Sequence, residues 1–243
     1  MGEKIRLDKM LSNMGKGTRS EMKDALRFGQ VKVNGQTVRT GKDKIDPEVD
    51  EVTYKGEKVI YKRYVYLVMN KPQGVISATE DNRHKTVIDL IDDTYKHYEL
   101  FPVGRLDIDT EGLLIITNDG ELTHNLLAPK KHVPKTYFAI IQGNVNALDV
   151  QEFASGIVLE DGYACMPSEL VIKGLESGKT EVELTIHEGK FHQVKRMFEA
   201  TGKRVIYLKR IKMNLLNLDP TIGLGQFREL TEEEYGALTK DVL

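Results

Sequence analysis

The run Gly104-Arg105-Leu106-Asp107-Ile108-Asp109-Thr110-Glu111-Gly112-Leu113-Leu114-Ile115-Ile116-Thr117-Asn118-Asp119-Gly120 says more about the architecture of this 243-residue chain than any other stretch. Polar residues bounded by glycines lead directly into an apolar run, Leu113 to Thr117, that predicts a buried strand. A loop in front of such a strand can hold a carboxylate at a sheet edge on a rigid anchor. Asp107 lies two residues from Arg105, and Asp109 two further on. One reading makes one aspartate a turn cap and leaves the other solvated. The other makes a carboxylate the working group, as nucleophile, general base or metal ligand. A metal would need further oxygen or imidazole ligands at recognisable spacing, and the neighbouring arginine opposes a cation. The segment therefore favours an ionised, charge-paired nucleophile and no metal.

Outward from this loop, strand-like runs at Tyr66 to Met69, Thr136 to Gln142, Glu181 to Ile186 and Arg204 to Lys212 alternate with helical stretches. The helices fall near Thr86 to Asp92, Glu121 to Leu127, Val145 to Ser155 and His192 to Thr201. Long strands joined by hairpins and a few flanking helices predict an α+β domain with a mixed, mostly antiparallel sheet.

The N-terminal part has a different texture. Ile5, Leu7, Met10 and Leu11 recur at helical spacing, and Ser20 to Leu26 reads as a second helix capped at Ser20, preceded by Arg19 and closed by Phe28-Gly29. Val31-Lys32-Val33 then meets Asn34-Gly35, a strong hairpin signal. From Met1 to Lys44 eleven basic residues stand against five acidic ones, a net +6, so the rest of the chain carries about −8 of the overall −2. Such asymmetry reads either as a solvated helix face or as a polyanion-binding appendage. Arg6, Lys9, Arg19, Lys23, Arg27 and Lys32 are the candidates for a phosphate-gripping surface. Ile45 to Lys62, charged and with Pro47 and Gly56, reads as the end of the module plus a linker.

Composition excludes several classes. No apolar run reaches the roughly 18 residues of a membrane span. The polar start Met1-Gly2-Glu3-Lys4-Ile5-Arg6 has no apolar core of a secretion signal, and the single Cys165 rules out a disulfide framework and fits a reducing cytoplasm. His187 and His192 do not have H-E-x-x-H spacing and lack a third ligand, so no metal is expected there either.

Two resemblances follow from these residues. Arg6 to Leu11, Thr18-Arg19-Ser20 and Gly29 to Gly35 resemble an S4 domain, a small RNA-binding module, which implies structured RNA as a partner. Gly104 to Leu114, together with Tyr66 to Val75, Lys135-Thr136-Tyr137 and Ile186 to Phe198, resembles the RsuA-like pseudouridine synthases in four motifs and in order. The two together imply an S4-like domain and linker over residues 1–60 and a pseudouridine synthase domain over 61–243. The implied reaction turns uridine into pseudouridine in RNA without cofactor or metal. In that scheme Asp107 is the catalytic carboxylate, acting at the base or at the ribose. Tyr137 is the wall on which the base stacks and can take a proton from C5. Arg105 occupies the place of the flipped nucleotide or holds a phosphate. Lys190 replaces the arginine that pairs with the aspartate in the wider superfamily, with Lys195 and Arg196 as alternatives and as RNA contacts. Asn70, Lys71 and Pro72 shape the domain, and Lys71 touches RNA. Phe191-His192-Gln193, where large-subunit enzymes tend to carry Asn-Arg-Gln, leans towards small-subunit ribosomal RNA, uridine 516 of 16S. A large-subunit (23S) uridine and a non-catalytic RNA-binding or ribosome-assembly factor are the alternatives. The expected partner is ribosomal RNA or an assembling subunit, and the protein is expected to be a cytoplasmic monomer.

Overall fold

The structure, a computed structural model, describes residues 4–242, so the first three residues of the polar N-terminus lie outside the described residues. The described chain forms two compact units: residues 4–65 with the excursion Asp92–Glu99, and Tyr66–Ile91 with the residues from Leu100 onward.

In the first unit, helices α1 (Leu7–Asn13) and α2 (Arg19–Arg27) precede strands β1 (Val31–Val33), β2 (Gln36–Thr37), β3 (Val52–Tyr54) and β4 (Glu57–Val59). Leu7, Met10, Leu11, Met22, Leu26 and Val31 form its core. Helix α2 begins two residues earlier than a cap at Ser20 implies. Thr18, not Ser20, is the cap, because its hydroxyl accepts from the Glu21 amide while the Glu21 carboxylate accepts from the Thr18 amide, satisfying two otherwise orphaned donors. The stretch read as module end and linker contains the β3–β4 hairpin, and β3 also pairs with β1.

The second unit is built on a nine-stranded sheet. Its long strands are β5 (Tyr66–Lys71), β6 (Glu111–Thr117), β7 (Lys135–Gln142), β8 (Glu169–Glu176), β9 (Lys179–Ile186) and β10 (Arg204–Met213), followed by the short β11 (Phe227–Glu229). The spatial order is β8-β9-β7-β10-β6-β5-β11, and β10 with β6 is the one parallel pair of that path. Helices α3 (Gly120–Leu127), α4 (Ala147–Ser155), α5 (Gln193–Ala200) and α6 (Glu232–Thr239) accompany it. The α+β class and the mixed, mostly antiparallel sheet agree with the sequence. Thr86 to Asp92 does not form the expected helix. It holds one 3-10 turn at Ile88–Leu90, with the Thr86 amide and hydroxyl both bonded to Asp89. Among the described residues no helix is long and apolar enough to cross a membrane.

The β6–β10 pairing positions the site. Gly112 sits at φ +106°, and a Cβ there would lie 2.2 Å from the Arg210 carbonyl oxygen, so only glycine permits this approach of the two strands. The 104–110 loop is thereby delivered beside β10.

Candidate active site

The loop in front of β6 is clamped from several sides. The Thr110 amide donates to the Asp107 carbonyl at 3.0 Å, closing a turn, and the Gly74 amide donates to Ile108 O at 2.8 Å. Ser77 Oγ donates to Leu106 O and accepts from Leu106 N, both at 3.0 Å. Beneath the turn lies Lys71, at the end of β5. Expected as an RNA contact, it is instead fully buried, because its ammonium donates to the carbonyls of Pro72 (3.1 Å), Asp107 (3.0 Å) and Thr110 (2.9 Å). Burial pushes it down to about 8, against the opposing pull of Asp107, Asp109 and Glu111.

The Asp107 carboxylate faces Lys195 of α5, whose Nζ lies 3.2 Å from Oδ2. The same ammonium reaches Asp109 Oδ1 at 2.6 Å. Burial alone would lower Lys195, but its hydrogen bonds to Asp109 and Asp107 reverse this and leave it above its ordinary value. Asp109 is pushed up by burial and brought below the ordinary carboxylate range by Lys195. On the other side His192 Nε2 approaches Asp107 Oδ1 to 3.6 Å. His192 caps α5 in the left-handed region, φ +49°, and its ring stacks on Phe191 at 3.8 Å.

Lys190 is not the partner of Asp107. Its Nζ lies 4.7 Å over the Tyr163 ring, and its amide donates to Gln193 Oε1. The reason is a local network that sets the path of the preceding loop. Glu188 accepts from Tyr163 Oη (2.6 Å), the Met166 amide (2.9 Å) and Gln193 Nε2 (2.8 Å), which directs Lys190 away and leaves Lys195, on the first turn of α5, to face the loop. Arg196 is engaged elsewhere, 2.5 Å from Asp161 Oδ2.

Asp107 and Tyr137 line one cavity of about 1030 Å³, together with Arg105 and Lys190. A smaller recess of about 90 Å³ also touches Asp107, Tyr137 and Lys195. Tyr137, on β7, shows only a tenth of its surface, while Arg105 is exposed. The arrangement offers a charge-paired carboxylate, a flat aromatic wall and an exposed arginine, a set suited to a planar heterocycle. Among the described residues no cluster of His, Cys, Asp or Glu could hold a metal ion.

In the first unit Lys9, Arg19, Lys23, Arg27 and Lys32 are exposed, with Arg27 3.3 Å from Asp24. Arg6 departs from the expectation of a free phosphate ligand: it forks onto the buried Asp8 at 2.6 and 3.1 Å, which neutralises it in place. Sequence reasoning did not identify Ser77, Tyr163, Glu188, Gln193 or Arg210. The first four act through side-chain hydrogen bonds across the fold, for which no periodicity gives a signal. Arg210 was detectable only as a charge within an otherwise strand-like run.

The chain is similar to known proteins over nearly its whole length. The RNA pseudouridylate synthase family profile matches residues 65–200 and that of the S4 domain residues 5–50. A Bacillus subtilis protein named uncharacterized RNA pseudouridine synthase YtzG is 48% identical over 97% of this chain and 99% of its own length. The Vibrio cholerae ribosomal small subunit pseudouridine synthase A is 38% identical over 97% of this chain and all of its own length. The Bacillus subtilis ribosomal large subunit pseudouridine synthase B is 38% identical over 94% of this chain and 93% of its own. A crystal structure of a pseudouridylate synthase superposes with a TM-score of 0.65 at 35% identity, covering 96% of this chain and 99% of that one.

Proposed function

The chain belongs to the RNA pseudouridylate synthase family, and we propose that it isomerises one uridine of small-subunit ribosomal RNA, the position corresponding to 516 of 16S, with Asp107 as the catalytic carboxylate. The observation that carries this reading is the convergence on one cavity of the Lys195-paired Asp107 carboxylate and the Tyr137 ring. The base flips out of its stack into the cavity and lies on Tyr137. Asp107 either adds to C6 of the base and is expelled again after the new bond forms, or acts at C1′ and is displaced there by C5; on both routes the bond between N1 and C1′ breaks. The ring turns while held, C5 joins C1′, the C5 proton leaves with help from the Tyr137 hydroxyl, and N1 takes up a proton. Atoms and charge balance without a cofactor. Lys195 pairs with the carboxylate and orients it, with His192 on its other side, and the cavity wall shields the detached base from water. Exposed Arg105 fills the gap left by the flipped nucleotide. Lys9, Arg19, Lys23 and Lys32 of the S4 unit grip phosphates.

Overall identity does not separate the ribosomal subunits, since relatives named for each are 38% identical to this chain. The triplet Phe191-His192-Gln193 favours the small subunit. A large-subunit uridine is the second reading, favoured by the Bacillus subtilis relative. Pseudouridine mapping of ribosomal RNA from cells lacking the protein tests both. Loss at 516 alone supports the proposal, loss at a 23S position supports the second reading, and an unchanged map refutes both.

A further inference from the structure

Two cations in the cavity wall have no part in the chemistry described so far. Arg210 on β10 and Lys135 on β7 are 3% and 9% exposed, and both line the cavity that holds Asp107 and Tyr137. In the antiparallel β7–β10 ladder Tyr137 stands directly opposite Arg210, so the two side chains share a face. Lys135, two residues before Tyr137 on the same strand, shares it as well.

Their protein partners are few. Arg210 Nε donates to Leu113 O at 2.7 Å, and Lys135 Nζ donates to Val133 O at 2.7 Å. One terminal nitrogen of the Arg210 guanidinium is buried with no acceptor. Burial pushes Lys135 down to about 8, and the charge of Arg210 pushes it the same way. Among the described residues neither forms an ion pair; a buried cation without a counter-charge is costly, and an acceptor that fills the cavity and carries negative charge offsets that cost.

The reaction supplies such an acceptor. If Asp107 adds to C6, the electron pair moves through C5 to the O4 carbonyl. If the glycosidic bond breaks first, its pair stays on N1 and spreads to O2 and O4. On either route, charge builds on a carbonyl oxygen of the ring and is withdrawn again when C5 bonds to C1′ and N1 is reprotonated. We propose that Arg210, supported by Lys135, receives a carbonyl oxygen of the flipped uracil and stabilises the charge that develops on it. The proposal rests on the pseudouridine synthase reading above. A base stacked on Tyr137 has Arg210 beside its ring edge. The phosphates stay with the RNA strand near exposed Arg105, so an arginine this deep meets the base rather than the backbone.

The test uses a synthetic RNA fragment spanning the proposed target of small-subunit ribosomal RNA, prepared with uridine, 2-thiouridine or 4-thiouridine at that position. Single-turnover rates are measured for the wild type, Arg210→Gln and Lys135→Gln. Loss of one preorganised donor predicts a fall of about 100-fold for Arg210→Gln on natural RNA, with RNA affinity within about threefold. A purely structural role would not move the decisive readout, the ratio of natural to thio rate. For one of the two thio positions that ratio changes at least about tenfold between the wild type and Arg210→Gln, because sulfur is a poor acceptor for the removed donor. Arg210 also holds Leu113 O, so where Arg210→Gln does not fold, Lys135→Gln carries the same comparison. Equal ratios in wild type and variants overturn the proposal. So does the same coupling appearing only with a phosphorothioate 5′ to the target, which would make Arg210 a phosphate ligand. Wild type inactive on the unmodified RNA faults the assigned reaction itself, and the Arg210 role falls with it.

Discussion

Replacing Lys71 by Met removes the ammonium under the catalytic loop while keeping the length and volume of the side chain. Three charge-assisted hydrogen bonds to Pro72, Asp107 and Thr110 carbonyls are lost. At about 2 kcal/mol each they amount to about 6 kcal/mol. Against this, a fall from 10.5 to about 8 corresponds to a net penalty of about 3 kcal/mol for holding the charge there, after the pull of Asp107, Asp109 and Glu111, and methionine does not incur it. The net loss is about 3 kcal/mol, or a fall in Tm of about 6–12 °C for a domain of this size. The rate should suffer more than stability alone implies, since a shift of about 1 Å in the loop that carries Asp107 costs about 100-fold. Thermal unfolding and single-turnover isomerisation, assayed well below the variant's Tm, measure the two effects separately. A variant with unchanged or raised Tm and a rate within about threefold of wild type would refute the clamp, since losing these bonds could not then matter.

Three further outcomes follow from the same geometry. Lys195→Met should lower the single-turnover rate at least about tenfold more than Lys190→Met does, with Lys195→Arg retaining most of it, because one charge pair near the reacting group is worth about 1–3 kcal/mol; equal effects would restore Lys190 as the partner. Lys71 and Lys135 both sit near 8 in the folded protein and 10.5 unfolded, so between those values the unfolded chain binds more protons and stability rises with pH, the full penalty being present below about 8. Urea midpoints from pH 7.5 to 9.5 should therefore rise more for the wild type than for Lys135→Met. Replacing Lys9, Arg19, Lys23 and Lys32 together by Gln should flatten the salt dependence of RNA binding by up to about three units of log–log slope, measured by filter binding at several salt concentrations; an unchanged slope would remove the S4 unit from the interface.

Much of this site was legible because its parts obey local rules. Asp107 sits where a polar turn meets a fully apolar strand, and Tyr137 alternates with Ala139 and Ile141 on the buried face of β7. Lys195 was legible only as one of three cations. The choice among them depends on Glu188 and Gln193 fixing the loop before α5, a contact between distant residues that spacing does not encode. Lys71 misled for a different reason: a lysine reads as surface, and only the three carbonyls converging beneath the loop make its burial tolerable. Strand β8 was invisible because it lies at the sheet edge, and six of its eight residues are exposed, so it has no clear apolar alternation. Helix α6 escaped notice because its face is thinly apolar, with Leu238 its one buried residue, although Thr231 and Glu234 form a capping box. The supposed helix after Thr86 failed because Asp89 satisfies the Thr86 amide and hydroxyl locally.

The most direct measurement is pseudouridine formation by Asp107→Asn on the ribosomal RNA target, alongside its affinity for that RNA. The substitution keeps the shape of the side chain and removes its charge from Lys195. The account predicts a loss of more than about 1000-fold in single-turnover rate with binding within about threefold of wild type. Isomerisation near the wild-type rate would contradict it, and Asp107 would then be a turn residue beside a site whose chemistry is done by another group.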